Sequence, residues 1–429
     1  MANYFGTDGI RGIYGKTITP SLAFKFGCAL AQFCKNKKVL IGRDTRPSGQ
    51  LLALSVANGL CMCGINVVDI GIAPTPVISL LTENLGCDYG IVISASHNPP
   101  EHNGIKVFDR DGYKITEKEE NNIESALSLF TPAQHDRIGK YEYKPSLTRL
   151  YQHKLLSLID KKQALKIVID CANGATYKLA KTIFKKACND PIFINSTNCG
   201  TKINENCGAL HPEVLAEHVK SNNADFGFCF DGDGDRMLAC NKDGEILDGD
   251  DILCMLSQNM SICKNSIVGT VMTNKGFENF LNKHHISLLR ADVGDKYVSQ
   301  MMREKKVSLG GEPSGHIIID GYSKTGDGLL VAALLLQRLD SAKSLCYKKF
   351  PQININIEVD DKYRLLNSDA LAKEILTIQS EFKNKGRVLV RASGTEQKIR
   401  VMCEHISHNK AVSAANRLEK IINTLLKKQ

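Results

Sequence analysis

The chain has 429 residues, 43% of them hydrophobic and 24% charged. That composition excludes a disordered or fibrous protein and fits about three or four globular domains. The net charge of +9 lies in dispersed pairs (Lys37-Lys38, Lys161-Lys162, Lys185-Lys186, Lys305-Lys306, Lys348-Lys349) without interleaved aromatics, and Trp is absent, which argues against a base-stacking nucleic-acid surface. The opening Met1-Ala2-Asn3-Tyr4-Phe5 lacks a basic cluster followed by an apolar stretch, and no apolar run reaches about 18 residues, so a cytoplasmic protein without a membrane partner is expected. The 15 cysteines are scattered and mostly single among apolar neighbours. Cys61 and Cys63, separated by one residue in a helical pattern, are poorly spaced for zinc, so reduced core thiols are expected.

A unit of β-branched run, glycine turn and amphipathic helix recurs along the chain. Val39-Leu40-Ile41-Gly42 predicts a strand, followed by a helix from about Ser48, its N-cap, to a stop at Gly64. Lys166-Ile167-Val168-Ile169-Asp170 predicts a second strand, with a helix through Leu179 and Ile183 after Ala172-Asn173-Gly174. Ser266-Ile267-Val268-Gly269-Thr270-Val271 predicts a third, with a helix through Phe280 after Asn274-Lys275-Gly276. Strands without polar alternation are buried on both faces, which indicates three α/β layers. The last segment differs: Arg387 to Arg391 and Lys398 to Met402 flank a Ser393-Gly394-Thr395 turn, and a helix from about Asn409 follows, which predicts a small α+β cap. Polar stretches near Tyr141 to Ser146, Asp248 and Pro351 divide the chain into expected domains 1–145, 146–248, 249–350 and 351–429.

Two segments carry chemistry most visibly. In Asp231-Gly232-Asp233-Gly234-Asp235-Arg236 the glycines let the backbone curl and turn three carboxylates toward one point, which suits a hard divalent cation such as Mg2+. A calcium loop is excluded, because Arg236 and Lys242 stand where it needs Gly and Glu. An acidic hairpin turn is the plainer alternative. In Ile93-Ser94-Ala95-Ser96-His97-Asn98-Pro99, proline forces a turn at a strand end, and a serine there can face a cleft as a phosphate carrier. Strand alternation would place Ser94 and Ser96 on one face, so position alone does not choose between them.

Lys106 and Arg11 read either as cations near that site or as ordinary surface and loop residues. Three aspartates, a serine phosphate and a divalent cation leave a net charge of about −3, which Arg11, Lys106 and Arg236 together would cancel. Arg391 and Arg400 bracket the Ser393-Gly394-Thr395 turn, a combination of guanidinium groups, hydroxyls and backbone N–H groups that suits a phosphate, or else a plain hairpin with exposed arginines. Glu312, Ser314 and His316 lie within five residues and offer the mixed donors and acceptors that sugar hydroxyls need, although His316 could simply cap the strand Ile317-Ile318-Ile319.

Taken in order, Phe5 to Gly12, Ile93 to Pro99, Asp231 to Arg236, Gly311 to His316 and Arg391 to Arg400 resemble the α-D-phosphohexomutase family over essentially the whole chain. Within it, Phe5 to Gly12, Ile93 to Pro99 and Val293 to Val298 look most like the amino-sugar branch. The resemblance implies an α/β fold of four domains in a heart shape, three related α/β domains and a C-terminal α+β phosphate-binding domain. It matches Ser96 to the family's phosphoserine, with a phosphate oxygen joining Asp231, Asp233 and Asp235 on Mg2+. It implies interconversion of glucosamine 6-phosphate and glucosamine 1-phosphate through a bisphosphate, in supply of UDP-N-acetylglucosamine.

By the same resemblance Lys106 and His316 would handle the proton of the attacking hydroxyl, burial beside cations lowering the Lys106 pKa. His97 would stand beside the carrier, and Arg11 and Arg236 would steady the transferring group. Glu312 and Ser314 would contact sugar hydroxyls, and Arg391, Ser393, Gly394, Thr395 and Arg400 would grip the distal phosphate. A sugar 1,6-bisphosphate activator or a kinase would prime the serine, and monomer and homodimer both stay open. Pro313, Gln397, Asp292 and Lys296 depart from the usual residues of that branch and blur the preferred sugar among glucosamine, glucose and mannose phosphates. Rival readings are a phosphatase with Asp231 as nucleophile and a non-catalytic protein that binds sugar phosphate or RNA.

Overall fold

The computed structural model describes residues 4–6, 8–129, 137–258, 262–339, 347–393 and 397–427. They form four sheets. The first has seven strands in the order Phe5–Gly6, Gly9–Ile13, His102–Phe108, Tyr89–Ile93, Lys38–Arg43, Asn66–Ile72, Tyr141–Tyr143. The last four run parallel, whereas His102–Phe108 runs antiparallel to both its neighbours. Lys38–Arg43 and Tyr89–Ile93 are buried almost throughout, as runs without polar alternation require.

Helices Pro20–Ala31 and Gly49–Met62 cross at two glycines. A Cβ on Gly27 would lie 2.3 Å from the Val56 carbonyl oxygen and one on Gly59 2.2 Å from that of Phe24, so only glycine allows this approach. Phe26, Leu30, Leu52, Val56 and Leu60 close a core over Val39, Ile41, Ile91 and Ile93. Gly64 ends the second helix at φ +80°, as predicted. Ser48 is its N-cap residue but makes no capping bond; its Oγ accepts from Asn103 Nδ2 at 2.8 Å, tying the helix start to a neighbouring strand.

The second sheet orders Ile246–Leu247, Met237–Asn241, Phe226–Phe230, Gln163–Asp170 and Cys188–Ile194, and the third Ser287–Ala291, Ser266–Thr270, Leu309–Gly311 and Ile317–Ile319. The fourth is an antiparallel triplet of Gln352–Glu358, Lys398–His405 and Gly386–Ala392 that shares a core with helices Asp369–Phe382 and His408–Lys427. Three mixed α/β sheets and one α+β sheet thus follow the chain in the expected sequence.

The chain divides into two compact units, Met1–Met272 with Leu288–Ser344, and Thr273–Ser287 with Leu345–Gln429. Helix Lys275–Lys283, which sequence alone attaches to the third strand–helix repeat, therefore belongs to the unit of the fourth sheet. Asn274 explains why: its Oδ1 caps Gly276 N–H at 2.9 Å and also accepts from Phe350 N–H at 3.0 Å. Among the described residues no helix is long and apolar enough to cross a membrane.

Within the first unit, helix Thr148–Leu156 is anchored by Tyr151, whose hydroxyl donates to Asp327 Oδ1 at 2.5 Å. Asp327 also caps helix Gly328–Leu336 through Leu330 N–H. Burial pushes the Asp327 pKa up to about 6, against the pull of these hydrogen bonds. An unfolded Asp titrates near about 3.9. Between about pH 4 and 6 the folded chain keeps a proton that the unfolded chain has released, so this residue's contribution to stability is present below about pH 4 and falls as pH rises to about 6. Asp327→Asn should remove that fall, which amounts to at most about 1.4 kcal/mol per pH unit. Urea midpoints of wild type and variant should diverge between pH 4 and 6, and parallel profiles would contradict the assignment.

Candidate active site

Strand Tyr89–Ile93 stops one residue before Ser94, so the alternation that would put Ser94 and Ser96 on one face does not reach them. The two side chains part. Ser94 Oγ donates to Asp44 Oδ2 at 2.6 Å and accepts from Ser96 N–H at 2.8 Å, so it supports the turn from within. Ser96 adopts φ +51°, a left-handed conformation costly for a residue with a Cβ, and its Oγ donates to Asp231 Oδ2 at 2.6 Å. His97 Nδ1 lies 3.3 Å from the same Oγ. Burial, with Arg236 and Arg11 nearby, lowers the His97 pKa to about 4, so its imidazole is neutral at pH 7.

The aspartates occupy the turn of a hairpin between Phe226–Phe230 and Met237–Asn241, which pair antiparallel through Phe230 and Met237. The hairpin and the carboxylate cradle are therefore one feature. Gly234 takes φ +72°, and a Cβ on Gly232 would lie 2.6 Å from the Ser96 carbonyl oxygen, so both glycines are needed to bring this turn to the serine. Asp231, Asp233 and Asp235 are buried with ligand oxygens within 4.8 Å of one another. Burial and repulsion from Asp235 and Asp233 raise the Asp231 pKa well above the usual carboxylate range. Thr75 Oγ1 and Lys106 Nζ donate to Asp233 Oδ2 at 2.6 and 2.8 Å. Asp233 Oδ1 and Asp235 Oδ1 are buried without a hydrogen bond. Crowded, dehydrated carboxylates with oxygens to spare beside a serine hydroxyl fit a divalent cation.

Lys106 differs from expectation. Burial alone would lower its pKa, but Asp233, Asp235 and Asp8 hold it well above the usual lysine value, because its Nζ lies 2.8, 3.2 and 3.2 Å from their oxygens. The neighbours that decide its charge are anions rather than cations. Asp235 answers in kind: burial raises its pKa, yet Lys106, His316 and Arg236 bring it to about 2.

From Lys106 a line of alternating charge runs outward. Asp8 also pairs with Arg11 and Lys114, Lys114 pairs with Asp295, and Asp295 Oδ2 lies 3.3 Å from His316 Nε2. His316 Nε2 accepts from Gly326 N–H at 3.2 Å, and its Nδ1 makes no hydrogen bond. His316 also forms a β-bridge with Arg236, which ties the Glu312–His316 loop to the end of the aspartate turn. Glu312 Oε1 accepts from Gly294 N–H at 2.9 Å, its charge helps raise the Arg236 pKa, and Ser314 Oγ is buried without a partner. Ser96, His97, Lys106, Arg11, the three aspartates, Arg236, Glu312, Ser314 and His316 thus all lie in the first unit.

In the second unit, Arg391 and Arg400 are direct cross-strand partners. Like charges directly opposite one another destabilise a strand pair. Ser393 follows, its Oγ buried without a partner and its carbonyl held by Lys362 Nζ at 2.7 Å. Gly394 and Thr395 lie outside the described residues.

Four family models cover the chain: phosphoglucomutase/phosphomannomutase alpha/beta/alpha domain I over residues 2–129, domain II over 146–244, domain III over 248–350 and the C-terminal domain over 355–420. The chain belongs to the α-D-phosphohexomutase family. It is 40% identical over 445 residues to phosphoglucosamine mutase of Staphylococcus aureus, with 98% of each chain covered. In fold it is similar to a phosphoglucomutase/phosphomannomutase family protein of Burkholderia thailandensis (TM-score 0.83, 24% identity, 98% and 97% covered). It is also similar to N-acetylphosphoglucosamine mutase of Aspergillus fumigatus in complex with GlcNAc-6P and magnesium (TM-score 0.68, 17% identity, 100% and 96% covered).

Asp8, Lys114 and Asp295 were not singled out by sequence. Asp8 and Asp295 sit inside recognisable motifs, but nothing local marks Lys114, which meets partners 106 and 181 residues away. The carboxylate cluster yields a direct expectation. Mg2+ should raise the thermal midpoint of the folded protein in a concentration-dependent way, by about 2.7 kcal/mol equivalent at a hundredfold excess over Kd. Asp233→Asn should weaken that shift while keeping the fold, and an equal shift in the variant would place the cation elsewhere.

Proposed function

We propose that the protein is an enzyme that interconverts glucosamine 6-phosphate and glucosamine 1-phosphate, with Ser96 as the phosphoryl carrier. The observation that carries the reading is the 2.6 Å contact between Ser96 Oγ and Asp231 inside a buried carboxylate cluster. The 40% identity to a phosphoglucosamine mutase over nearly the full length supports the amino sugar.

Asp231, Asp233, Asp235 and the Ser96 oxygen are the residues we assign to holding Mg2+, which when bound would neutralise charge on the transferring phosphoryl group. Phosphoryl transfer passes through a loose, charge-spread transition state, so positioning and charge compensation matter most. Ser96 carries the phosphoryl group to the sugar hydroxyl at C1, the bisphosphate reverses end for end, and Ser96 takes the group back from C6. Arg11, Arg236 and the Lys106 ammonium offset the negative charge around Ser96. Neutral His97, with Nδ1 3.3 Å from Ser96 Oγ, is a second neighbour of the hydroxyl beside Asp231. With Nε2 accepting from Gly326 N–H, the His316 ring proton sits on Nδ1, which makes no hydrogen bond and is our candidate to donate to a substrate oxygen. Glu312 and Ser314 are assigned to sugar hydroxyls, and Arg391, Ser393, Gly394, Thr395 and Arg400 to a substrate phosphate. A sugar 1,6-bisphosphate is the activator we expect, and the cytoplasm, where free thiols persist, is the expected compartment.

Pro313 keeps the glucose and mannose phosphates in view as substrates. It offers no backbone N–H to the sugar loop, and its carbonyl is already taken by Gly249 N–H at 3.0 Å. Initial rates with glucosamine, glucose and mannose 6-phosphates, each with Mg2+ and a trace of the matching bisphosphate, should be highest for glucosamine. A higher rate with either other sugar would overturn the substrate assignment. Ser96→Ala should lose about 10³-fold or more of turnover while still unfolding in one cooperative transition. Retained turnover would exclude Ser96 as carrier.

A further inference from the structure

Behind the serine turn lies a second buried charge. Arg46 is 2% exposed, and each of its guanidinium N–H groups has an acceptor. Nε donates to Asp44 Oδ2 at 2.9 Å, Nη1 to the carbonyls of Pro99 and of His102 (3.0 Å), and Nη2 to the carbonyls of Ser96 (2.9 Å) and Asn98 (2.7 Å). Four carbonyls of one seven-residue turn thus converge on a single side chain. Asp44, its counter-ion, also accepts from Ser94 Oγ, which in turn accepts from Ser96 N–H. Asn204, from the part of the chain that carries the second sheet, donates from Nδ2 to the Ser96 and Asn98 carbonyls at 2.9 and 3.1 Å. Ser96 is therefore held at its N–H, at its carbonyl by two donors, and at its hydroxyl.

We propose that Arg46, seconded by Asn204, is the positioning residue of this turn: it keeps Ser96 in its left-handed conformation so that Oγ stays in line for transfer. The inference rests on the mutase reading for its consequence but not for its geometry. A free turn of non-glycine residues would relax from φ +51°, because that conformation costs about 1–3 kcal/mol. Only a planar fork with five donors can serve Asp44 and four carbonyls at once; lysine has three donors on a single nitrogen. Because Asn204 grips the same carbonyl, the serine is registered against the aspartate turn by backbone as well as by side chain. The Ser96 carbonyl also leaves no room for a Cβ at position 232.

The test compares wild type, Arg46→Lys, Arg46→Ala and Asn204→Gly, the last of which tolerates the φ +59° of that position. Arg46→Lys should lower kcat by about 10²-fold with KM within about twofold, since misplacement by about an ångström acts on the transition state rather than on ground-state binding. Backbone amides of residues 96–102 should exchange faster with solvent deuterium in the variant, while those of the first sheet do not. Guanidinium ion added to Arg46→Ala should restore part of kcat. Asn204→Gly should show the same pattern more weakly, and it carries the test if the Arg46 variants do not fold. Unchanged kcat, a KM rising in proportion to the loss, or unchanged exchange in 96–102 would each overturn the proposal. Wild-type protein without mutase turnover would sink the functional reading instead, and the exchange comparison would still decide whether Arg46 holds the turn.

Discussion

Three aspartate carboxylates buried within 4.8 Å of one another repel strongly, and much of the surrounding structure answers that repulsion. Lys106 enters between Asp233 and Asp235, Ser96 donates to Asp231, and Thr75 donates to Asp233. The compensation is incomplete: the Asp231 pKa remains raised and two carboxylate oxygens stay without a hydrogen bond. A site left with that residual charge deficit is suited to a divalent cation and to the phosphoryl group it would accompany. The same burial that makes the cluster costly gives each charge more influence than it would have in water.

The consequences extend along the chain of ion pairs. Lys106 shares Asp8 with Arg11 and Lys114, and Lys114 passes the alternation to Asp295, whose Oδ2 lies 3.3 Å from His316 Nε2. The serine turn, the aspartate turn and the sugar loop, which come from three different sheets, are joined by the Ser96–Asp231 hydrogen bond, by the charges of Glu312 and Arg236, and by the β-bridge between Arg236 and His316. Strand ends supply the loops, and glycines such as Gly232 let them meet at backbone distance.

Much of this was legible in the sequence where local chemistry suffices. Apolar runs without alternation marked the buried strands, and alternating glycine and aspartate marked the cradle. Ser96 could not be separated from Ser94 by pattern, because the choice depends on a strand ending at Ile93 and on a left-handed turn after it. The charge state of Lys106 cannot be read from its own segment because it depends on which groups meet it, and those lie on segments distant in sequence. Lys114 and Arg46 carried no local signal, since a lone lysine or arginine is ordinarily a surface residue. The membership of helix Lys275–Lys283 in the second unit was hidden for a similar reason: Asn274 looks like a simple N-cap until Phe350 is seen to use the same oxygen.

The central claim is that one phosphoryl group resides on Ser96 and leaves it for the sugar. Protein loaded with a phosphorus-labelled hexose 1,6-bisphosphate, digested and mapped, should carry hydroxylamine-stable label on the peptide containing Ser96, and a chase with glucosamine 6-phosphate should move that label quantitatively into sugar phosphate. Label on the Asp231 peptide that hydroxylamine removes, or label on Ser96 that the sugar cannot discharge, would contradict the account.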